Sequence, residues 1–202
     1  MEMEIRGKNI TFSREENSLD RFVFSFCSIL EKCFVEHVIV SGYVAIVFGR
    51  SRHTEDVDIL FLDCGKEGFA RLFLELGKEG FECLNEKDAA TAYLEYIKKG
   101  SALRFAAVGT FIPNIEFKLS KSLADRESLR GKNMLLLNGK KLFISPFELQ
   151  IAYKLFLGSD KDIEDAVYLY ELFKEHVLLG KIREYASDLK VKDALLSRLV
   201  GT

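Results

Sequence analysis

The chain has 202 residues and a mass of 23.0 kDa, which allows one domain with an appended unit rather than two large domains. Hydrophobic residues make up 48% and charged residues 30%, so the chain can bury a core and is not disordered. The net charge of −2 excludes a bulk polycation, so any contact with nucleic acid needs a local basic patch. No apolar run approaches the roughly 20 residues of a membrane span, and the N-terminal residues form no signal-peptide core. We therefore expect a cytoplasmic protein that does not contact membranes.

Hydrophobic periodicity predicts alternating helices and strands up to residue 129. Apolar residues at helical spacing predict an amphipathic helix over residues 18–34. A short apolar strand at 37–40 turns through Ser41-Gly42 into a short helix that Gly49 ends. Beyond it, the patterns predict strands at 56–62, 81–84, 102–108 and 114–119 and helices at 67–76, 89–98 and 122–129.

The pattern changes near Ser145. Before it, Asn138-Gly139 joins two strands, 134–137 and 140–144, as a hairpin. After it only helices are predicted, the first with Ser145 as its N-cap and the others at 159–173, 178–189 and 191–199. We therefore predict an α/β (α+β) fold with two domains: residues 1–144 form a small mixed sheet with helices mostly on one face, and residues 145–202 form a helical bundle.

Three features that suit a nucleotide occur together between residues 40 and 61. The strand turns sharply into a helix at Ser41-Gly42, where glycine lets backbone N–H groups approach an anion. Asp56 and Asp58 alternate along a strand and face one side, so a hard divalent cation would relieve their repulsion. Arg50 and Arg52 lie between these features and suit a polyphosphate. The segment predicts a triphosphate on the turn and a metal on the two aspartates.

A third carboxylate is expected to complete a two-metal site. Glu116 is the best candidate, because Ile115 and Phe117 face the core and Glu116 faces away. It would act as general base toward an acceptor hydroxyl, and in-line attack on the α-phosphate would release pyrophosphate. The alternative is that Glu116 is a solvent-facing strand residue or a partner of Lys118.

The order of these residues resembles a known signature. The run Ser41-Gly42, Gly49, Arg52, Thr54 and Asp56-Val57-Asp58 is similar to that of the DNA polymerase β-type nucleotidyltransferase superfamily. Its Gly-x-x-Arg-x-Thr-x-Asp-x-Asp form resembles the small prokaryotic branch that includes abortive-infection type toxins of toxin–antitoxin pairs. The run of Phe147-Glu148-Leu149, Lys154 and Lys161-Asp162-Ile163-Glu164-Asp165 looks like the helical segment of that branch.

The resemblance implies a role for each matching residue. Asp56, Asp58 and Glu116 would be catalytic and bind two magnesium ions. The residues it places on the nucleotide are Ser41, Gly42, Arg52, Thr54 and Lys154, with Asp162 as an auxiliary contact to phosphate or acceptor. The sequence departs from the signature in its Ser-Gly turn and in Tyr43, which follows the turn.

We expect a Mg²⁺-dependent nucleotidyltransferase that moves a nucleoside monophosphate from a nucleoside triphosphate to a hydroxyl group. The acceptor is an RNA 3′ end, a protein side chain or a small molecule, and the resemblance suggests a toxin with an antitoxin partner. The altered turn motivates an alternative, a catalytically degenerate module that binds nucleotide or a protein partner. A purely structural interaction domain is a third reading. A local basic strip could bind RNA, and the alternative is that it is an ordinary solvated face. Its members would be Lys118, Lys121, Arg126, Arg130, Lys132, Lys140 and Lys141.

Overall fold

A computed structural model of the chain describes residues 3–200. Met1, Glu2, Gly201 and Thr202, which end the two predicted domains, lie outside the described residues. Within 3–200, nine strands form one mixed sheet in the order β1-β2-β8-β9-β3-β4-β7-β6-β5. The strands are β1 (Met3–Arg6), β2 (Asn9–Phe12), β3 (His37–Val40), β4 (Asp56–Phe61), β5 (Phe81–Cys83), β6 (Leu103–Ala107), β7 (Asn114–Leu119), β8 (Asn133–Leu137) and β9 (Lys140–Ile144).

Helices alternate with these strands and then follow them. Before Ser145 they are α1 (Ser18–Lys32), α2 (Gly42–Val47), α3 (Gly65–Lys78), α4 (Ala89–Thr91, continued by a π-helical turn, Ala92–Ile97) and α5 (Leu123–Gly131). After Ser145 they are α6 (Phe147–Leu157), α7 (Asp160–Phe173), α8 (Leu179–Asp188) and α9 (Asp193–Val200). The predicted α/β fold class is confirmed. Across residues 3–200, no helix combines the length and the apolar character that a membrane crossing requires.

The centre of the sheet positions the predicted site. β3 and β4 are antiparallel and place Val40 opposite Asp58, whereas β4 and β7 are parallel and place Asp58 opposite Glu116. The C-terminal end of β3 therefore meets the N-terminal ends of β4 and β7 at one end of the sheet. The turn after β3 and the three predicted acids lie at that end.

The two faces of the sheet are covered unequally. Val57, Ile59 and Phe61 join the main hydrophobic core, to which α1 and α3 also contribute. Because side chains alternate along a strand, Asp56, Asp58 and Leu60 face the other way. On that face Leu60 belongs to a small cluster with Val38 and Leu129 of α5. The acids thus lie on the less covered face, where a cleft can form.

The structure differs from the sequence-based expectations at two local features. The hairpin of β1 and β2 was not predicted, because its four-residue strands give too little hydrophobic periodicity on either side of Gly7. The prediction that Ser145 is the N-cap of α6 is wrong. Pro146 holds that position without a side-chain hydrogen bond, and the Ser145 hydroxyl instead donates to Oε1 of Gln150 at 2.9 Å.

A buried polar network fixes the first turn of α2 to α1. Asp20 is fully buried and accepts a 2.8 Å hydrogen bond from the Tyr43 hydroxyl. Arg14 donates to both of its carboxylate oxygens, at 2.6 and 2.8 Å. Burial raises the pKa of Asp20, but the hydrogen bonds from Arg14, Asn17 and Tyr43 outweigh it and leave that pKa below its usual value. Tyr43 therefore points into the core, not toward the turn's solvent side.

We expect Asp20→Asn to lower the free energy of unfolding by about 3–5 kcal/mol, because it leaves the Arg14 guanidinium unbalanced. Tyr43→Phe removes one hydrogen bond and should cost about 1–2 kcal/mol. Urea denaturation at pH 7 measures both, with the exposed Asp188→Asn as control. The pKa of Asp20 is lowered in the folded state, so its contribution is complete at neutral pH and is lost as the pH falls below about 4. Equal stability of Asp20→Asn and Asp188→Asn would contradict this assignment.

Candidate active site

A cleft of about 520 Å³ opens at the end of the sheet where β3 stops and β4 and β7 begin. Its polar wall comes from the strands and the segment that follows β7, and its apolar wall comes largely from α6. The lining residues include Ser41, Asp56, Asp58, Glu116, Lys118, Lys121, Leu149, Gln150, Tyr153 and Leu157. The cleft therefore brings Ser41 of the predicted turn and the three predicted acids to one place, whereas Gly42 and Arg52 are not among its lining residues.

The Ser41–Gly42 turn is strained. Ser41 has φ 62° and ψ −134°, a conformation that glycine adopts readily and that costs another residue about 1–3 kcal/mol. Gly42 begins α2, and a Cβ atom on it would lie 2.1 Å from Nη2 of Arg52. Only glycine at position 42 lets the Arg52 guanidinium lie against the turn.

The carboxylates across β4 and β7 share one cation. Nζ of Lys118 lies 2.7 Å from Oδ1 of Asp58 and 2.6 Å from Oε2 of Glu116. Arg104 adds a second cation, with Nη2 at 2.7 Å from Oε1 of Glu116. Glu116 thus lines the cleft and is also paired with Lys118, as the alternative reading of the sequence expected.

The shared cation keeps Glu116 ionised. Burial raises the pKa of Glu116, but the hydrogen bonds from Lys118 and Arg104 outweigh it and leave that pKa below its usual value. Burial lowers the pKa of Lys118, but the charges and hydrogen bonds of Asp58 and Glu116 raise it overall. At neutral pH, Glu116 is therefore negative and Lys118 positive.

Thr54 lies beside Asp56 rather than in the cleft lining. Its hydroxyl donates to the backbone oxygen of Asp56 at 2.8 Å and approaches Oδ1 at 3.3 Å. The geometry makes Thr54 a residue that orients Asp56 at the start of β4.

The acids have the donor chemistry of a site for a hard cation, but they are not arranged as a finished one. Carboxylate oxygens are the ligands that Mg²⁺ prefers, and Asp58 and Glu116 converge on a single positive group. Among residues 3–200, no group of three or more His, Cys, Asp and Glu side chains has metal-binding geometry. Lys118 lies between Asp58 and Glu116, where its positive charge offsets the repulsion of the two carboxylates.

A second, buried ion cluster lies between the loop before β4 and helix α7. Lys154 is fully buried, with Nζ 2.8 Å from Oδ2 of Asp165 and 3.1 Å from Oδ1 of Asp162. Arg52 also reaches Asp165, with Nη2 at 3.1 Å from Oδ2. The structure thus brings Arg52 to the turn, but it encloses Lys154 and Asp162 away from the cleft lining.

Some residues of the site carried little signal in the sequence. Lys118 is not one of them, because the alternation along the strand already indicated it as a partner of Glu116. Arg104 required the pairing of β6 with β7, which puts it opposite Glu116. Gln150 is the single glutamine of the chain, and nothing in its local pattern indicates a role.

The predicted basic strip is largely neutralised. Lys132 pairs with Glu36 at 3.1 Å and Lys140 with Glu16 at 2.8 Å. Lys141 pairs with Glu31, and Lys118 pairs with the acids of the cleft. Within the described residues the strip offers fewer unpaired charges than its sequence suggested.

We expect Lys154→Met to lower the free energy of unfolding by about 3–5 kcal/mol, because it leaves Asp162 and Asp165 with too little positive charge in the interior. The matched control is Lys161→Met, an exposed position near the start of α7, which should change it by less than about 0.5 kcal/mol. Urea denaturation measures both. Unchanged stability together with lost nucleotide affinity would show instead that Lys154 contacts the nucleotide.

This chain resembles solved structures in its fold, but its sequence matches no known family. No protein family and no curated protein matches the sequence. An antigenic nucleotidyltransferase-like protein from Paracoccidioides brasiliensis superimposes with a TM-score of 0.56 and 17% identity, over 90% of this chain and 92% of that one. ANT(2")-Ia in complex with adenylyl-2"-tobramycin superimposes with a TM-score of 0.57 and 11% identity, over 86% and 98%. The solution structure of the antibiotic-resistance factor ANT(2")-Ia gives a TM-score of 0.55 and 11% identity, over 88% and 94%. The chain therefore has the nucleotidyltransferase fold.

Proposed function

We propose that this protein is a Mg²⁺-dependent nucleotidyltransferase that transfers a nucleoside monophosphate from a nucleoside triphosphate to a hydroxyl acceptor. The observation that carries the proposal is the register of β4 and β7, which sets Asp58 opposite Glu116 beside the Ser41–Gly42 turn in one cleft. The likeness of the fold to ANT(2")-Ia supports the same class of reaction.

Asp56, Asp58 and Glu116 would hold the metal after a rearrangement, since the three do not form a metal-binding group while Lys118 lies between Asp58 and Glu116. When bound, Mg²⁺ would neutralise charge on the triphosphate and favour attack at the α-phosphate. Lys118 would give up its place between Asp58 and Glu116, which its long, flexible side chain allows. It could then reach a phosphate group without leaving the cleft.

The turn would hold the triphosphate. The Ser41 amide already donates to Gln150, so the donors left for a phosphate are the amides of Gly42 and Tyr43, in the first turn of α2. Ser41 lines the cleft, and Arg52 adds a positive charge against Gly42.

In the proposed reaction the acceptor oxygen attacks the α-phosphorus and forms the new P–O bond. The bond from the α-phosphorus to the bridging oxygen of the β-phosphate breaks, and pyrophosphate leaves with that electron pair. Glu116 accepts the proton of the acceptor hydroxyl and passes it to water. Thr54 keeps Asp56 oriented at the start of β4 while this occurs.

The acceptor stays among the three classes that the sequence allows. Adenylyl-2"-tobramycin in ANT(2")-Ia makes a small-molecule hydroxyl the first class to test, followed by RNA 3′ ends and protein side chains. A toxin role with an antitoxin partner rests on the sequence resemblance alone and is the narrower part of the proposal.

One observation favours a second function, a module that binds nucleotide without transferring it. Lys118 already balances Asp58 and Glu116, so the acid pair is stable without a metal. In such a module the lysine would remain in place and the turn would bind the phosphates alone.

Label transfer tests the reaction. We expect the purified chain, given Mg²⁺ and each of the four α-³²P-labelled nucleoside triphosphates, to label an acceptor among small alcohols, RNA and protein. Asp58→Asn should reduce the rate by about 100-fold or more, because it removes charge that faces the reacting phosphate. The exposed Asp188→Asn is the matched control and should retain the wild-type rate. Calorimetry with the same nucleotides separates binding from transfer.

The outcomes separate the two functions. Nucleotide binding with no transfer to any acceptor class would favour the module. Absence of both binding and transfer would reject both proposals.

Thermal denaturation with and without MgCl₂ tests the metal. Lys118→Met leaves Asp58 and Glu116 facing each other with less positive charge, so its melting temperature should fall in EDTA and recover with Mg²⁺. The rise caused by Mg²⁺ should be larger in Lys118→Met than in the wild type, where the ion must displace the ammonium. The double variant Asp58→Asn, Lys118→Met should lose this response. An equal, absent response in all three chains would contradict a metal site at these acids.

A further inference from the structure

Gln150 joins helix α6 to the strained residue of the cleft. Its Nε2 donates to the backbone oxygen of Ser41 at 2.6 Å, and its Oε1 accepts from the Ser41 amide at 3.1 Å. A side-chain amide here pairs with one backbone residue through both donor and acceptor, as a neighbouring strand would. Both polar groups of the Ser41 backbone are satisfied by this single side chain.

The surroundings of Gln150 hold its amide in one orientation. The side chain is 2% exposed, and Oε1 also accepts from the Ser145 hydroxyl. The Ser145 amide in turn donates to the backbone oxygen of Ile39 in β3 at 2.9 Å. Contacts at Ile39 and at Ser41 therefore tie the end of β3 and the turn to the start of α6.

The strain at Ser41 gives this pairing a consequence. Ser41 has φ 62°, and a non-glycine residue keeps such a conformation only where its surroundings enforce it. Without the two hydrogen bonds, the Ser41 backbone is free to rotate toward a negative φ. The amides of Gly42 and Tyr43 would then point in other directions.

We propose that Gln150 is a positioning residue that holds the Ser41–Gly42 turn in the shape that receives the triphosphate. The proposal rests on the proposed function, since it assigns the turn to a nucleotide. It makes α6 part of the nucleotide site through Gln150, whose side chain bonds the Ser41 backbone and not the nucleotide itself. The affinity for nucleoside triphosphate should therefore depend on Gln150 more than the rate of the chemical step does.

The first test is a double-mutant cycle between positions 41 and 150, read by calorimetry with Mg²⁺ and a nucleoside triphosphate. Gln150→Met keeps the length of the side chain and removes both hydrogen bonds, and it should raise Kd by about 10-fold. Ser41→Gly relieves the strain, and because Ser41 itself lines the cleft, the Kd of this single variant is the reference for the double variant. In the double variant, glycine adopts the positive φ without help, so most of the lost affinity should return. In activity assays the change should appear in KM and not in kcat.

Two further variants guard against a trivial loss of folding. Glu148→Gln, on the same helix, should leave Kd unchanged. Gln150→Glu keeps an acceptor for the Ser41 amide, so its Kd should lie between those of the wild type and Gln150→Met. It takes the place of Gln150→Met if that variant folds poorly. An unchanged Kd in a folded Gln150→Met or Gln150→Glu chain would overturn the proposal, and so would a lost affinity that Ser41→Gly does not restore.

Amide hydrogen exchange at Ser41 gives a readout that needs no nucleotide. In the wild type this amide is bonded to a buried side chain, and Gln150→Met should speed its exchange on the order of 10-fold or more. If the wild type binds no nucleoside triphosphate but exchange accelerates, the proposed function fails while the link between Gln150 and the turn stands. If exchange does not change, Gln150 does not hold the turn and the proposal fails by itself.

Discussion

The parallel pairing of β4 with β7 is the constraint on which the site depends. It places Asp58 and Glu116 in direct register, and the pleat turns both toward the less covered face of the sheet. A shift of one residue in either strand would send a carboxylate into the hydrophobic core. The core side of the same strands prevents that shift, because Phe61 and Phe117 stack at 4.0 Å between ring centroids.

Charge in this molecule is balanced locally. Asp20 has Arg14, Asp165 has Arg52 and Lys154, and the acid pair of the cleft has Lys118. The first two clusters are buried and fix α2 and α7 in place, so their charges stabilise structure. The pair of Asp58 and Glu116 with Lys118 opens onto the cleft. Of the cations in these three clusters, Lys118 is the one placed to exchange its carboxylate partners for a ligand.

Sequence patterns predicted the fold class and most elements, because helical and strand periodicities are strong in segments such as α1 and β4. They also led to the turn and the three acids, whose side chains the structure brings to one cleft. They did not indicate the short hairpin of β1 and β2, the true role of Ser145, or Gln150. The hairpin strands are too short to give a periodicity, and the role of Gln150 depends on its contact with Ser41, 109 positions away in the chain. The placement of Lys154 needed tertiary structure too, since only packing decides whether a helix lysine is buried.

The close approach of Arg52 to Gly42 has a consequence for how this turn can vary among related chains. The guanidinium fills the volume that any larger residue at position 42 would need, so a substitution of Gly42 requires the end of the Arg52 side chain to move. A chain with serine or alanine at 42 would hold this guanidinium further from the turn or carry a shorter residue at 52. Losing the arginine would also leave Asp165 with fewer partners, so we expect substitutions at this turn to be accompanied by substitutions at position 165 in helix α7.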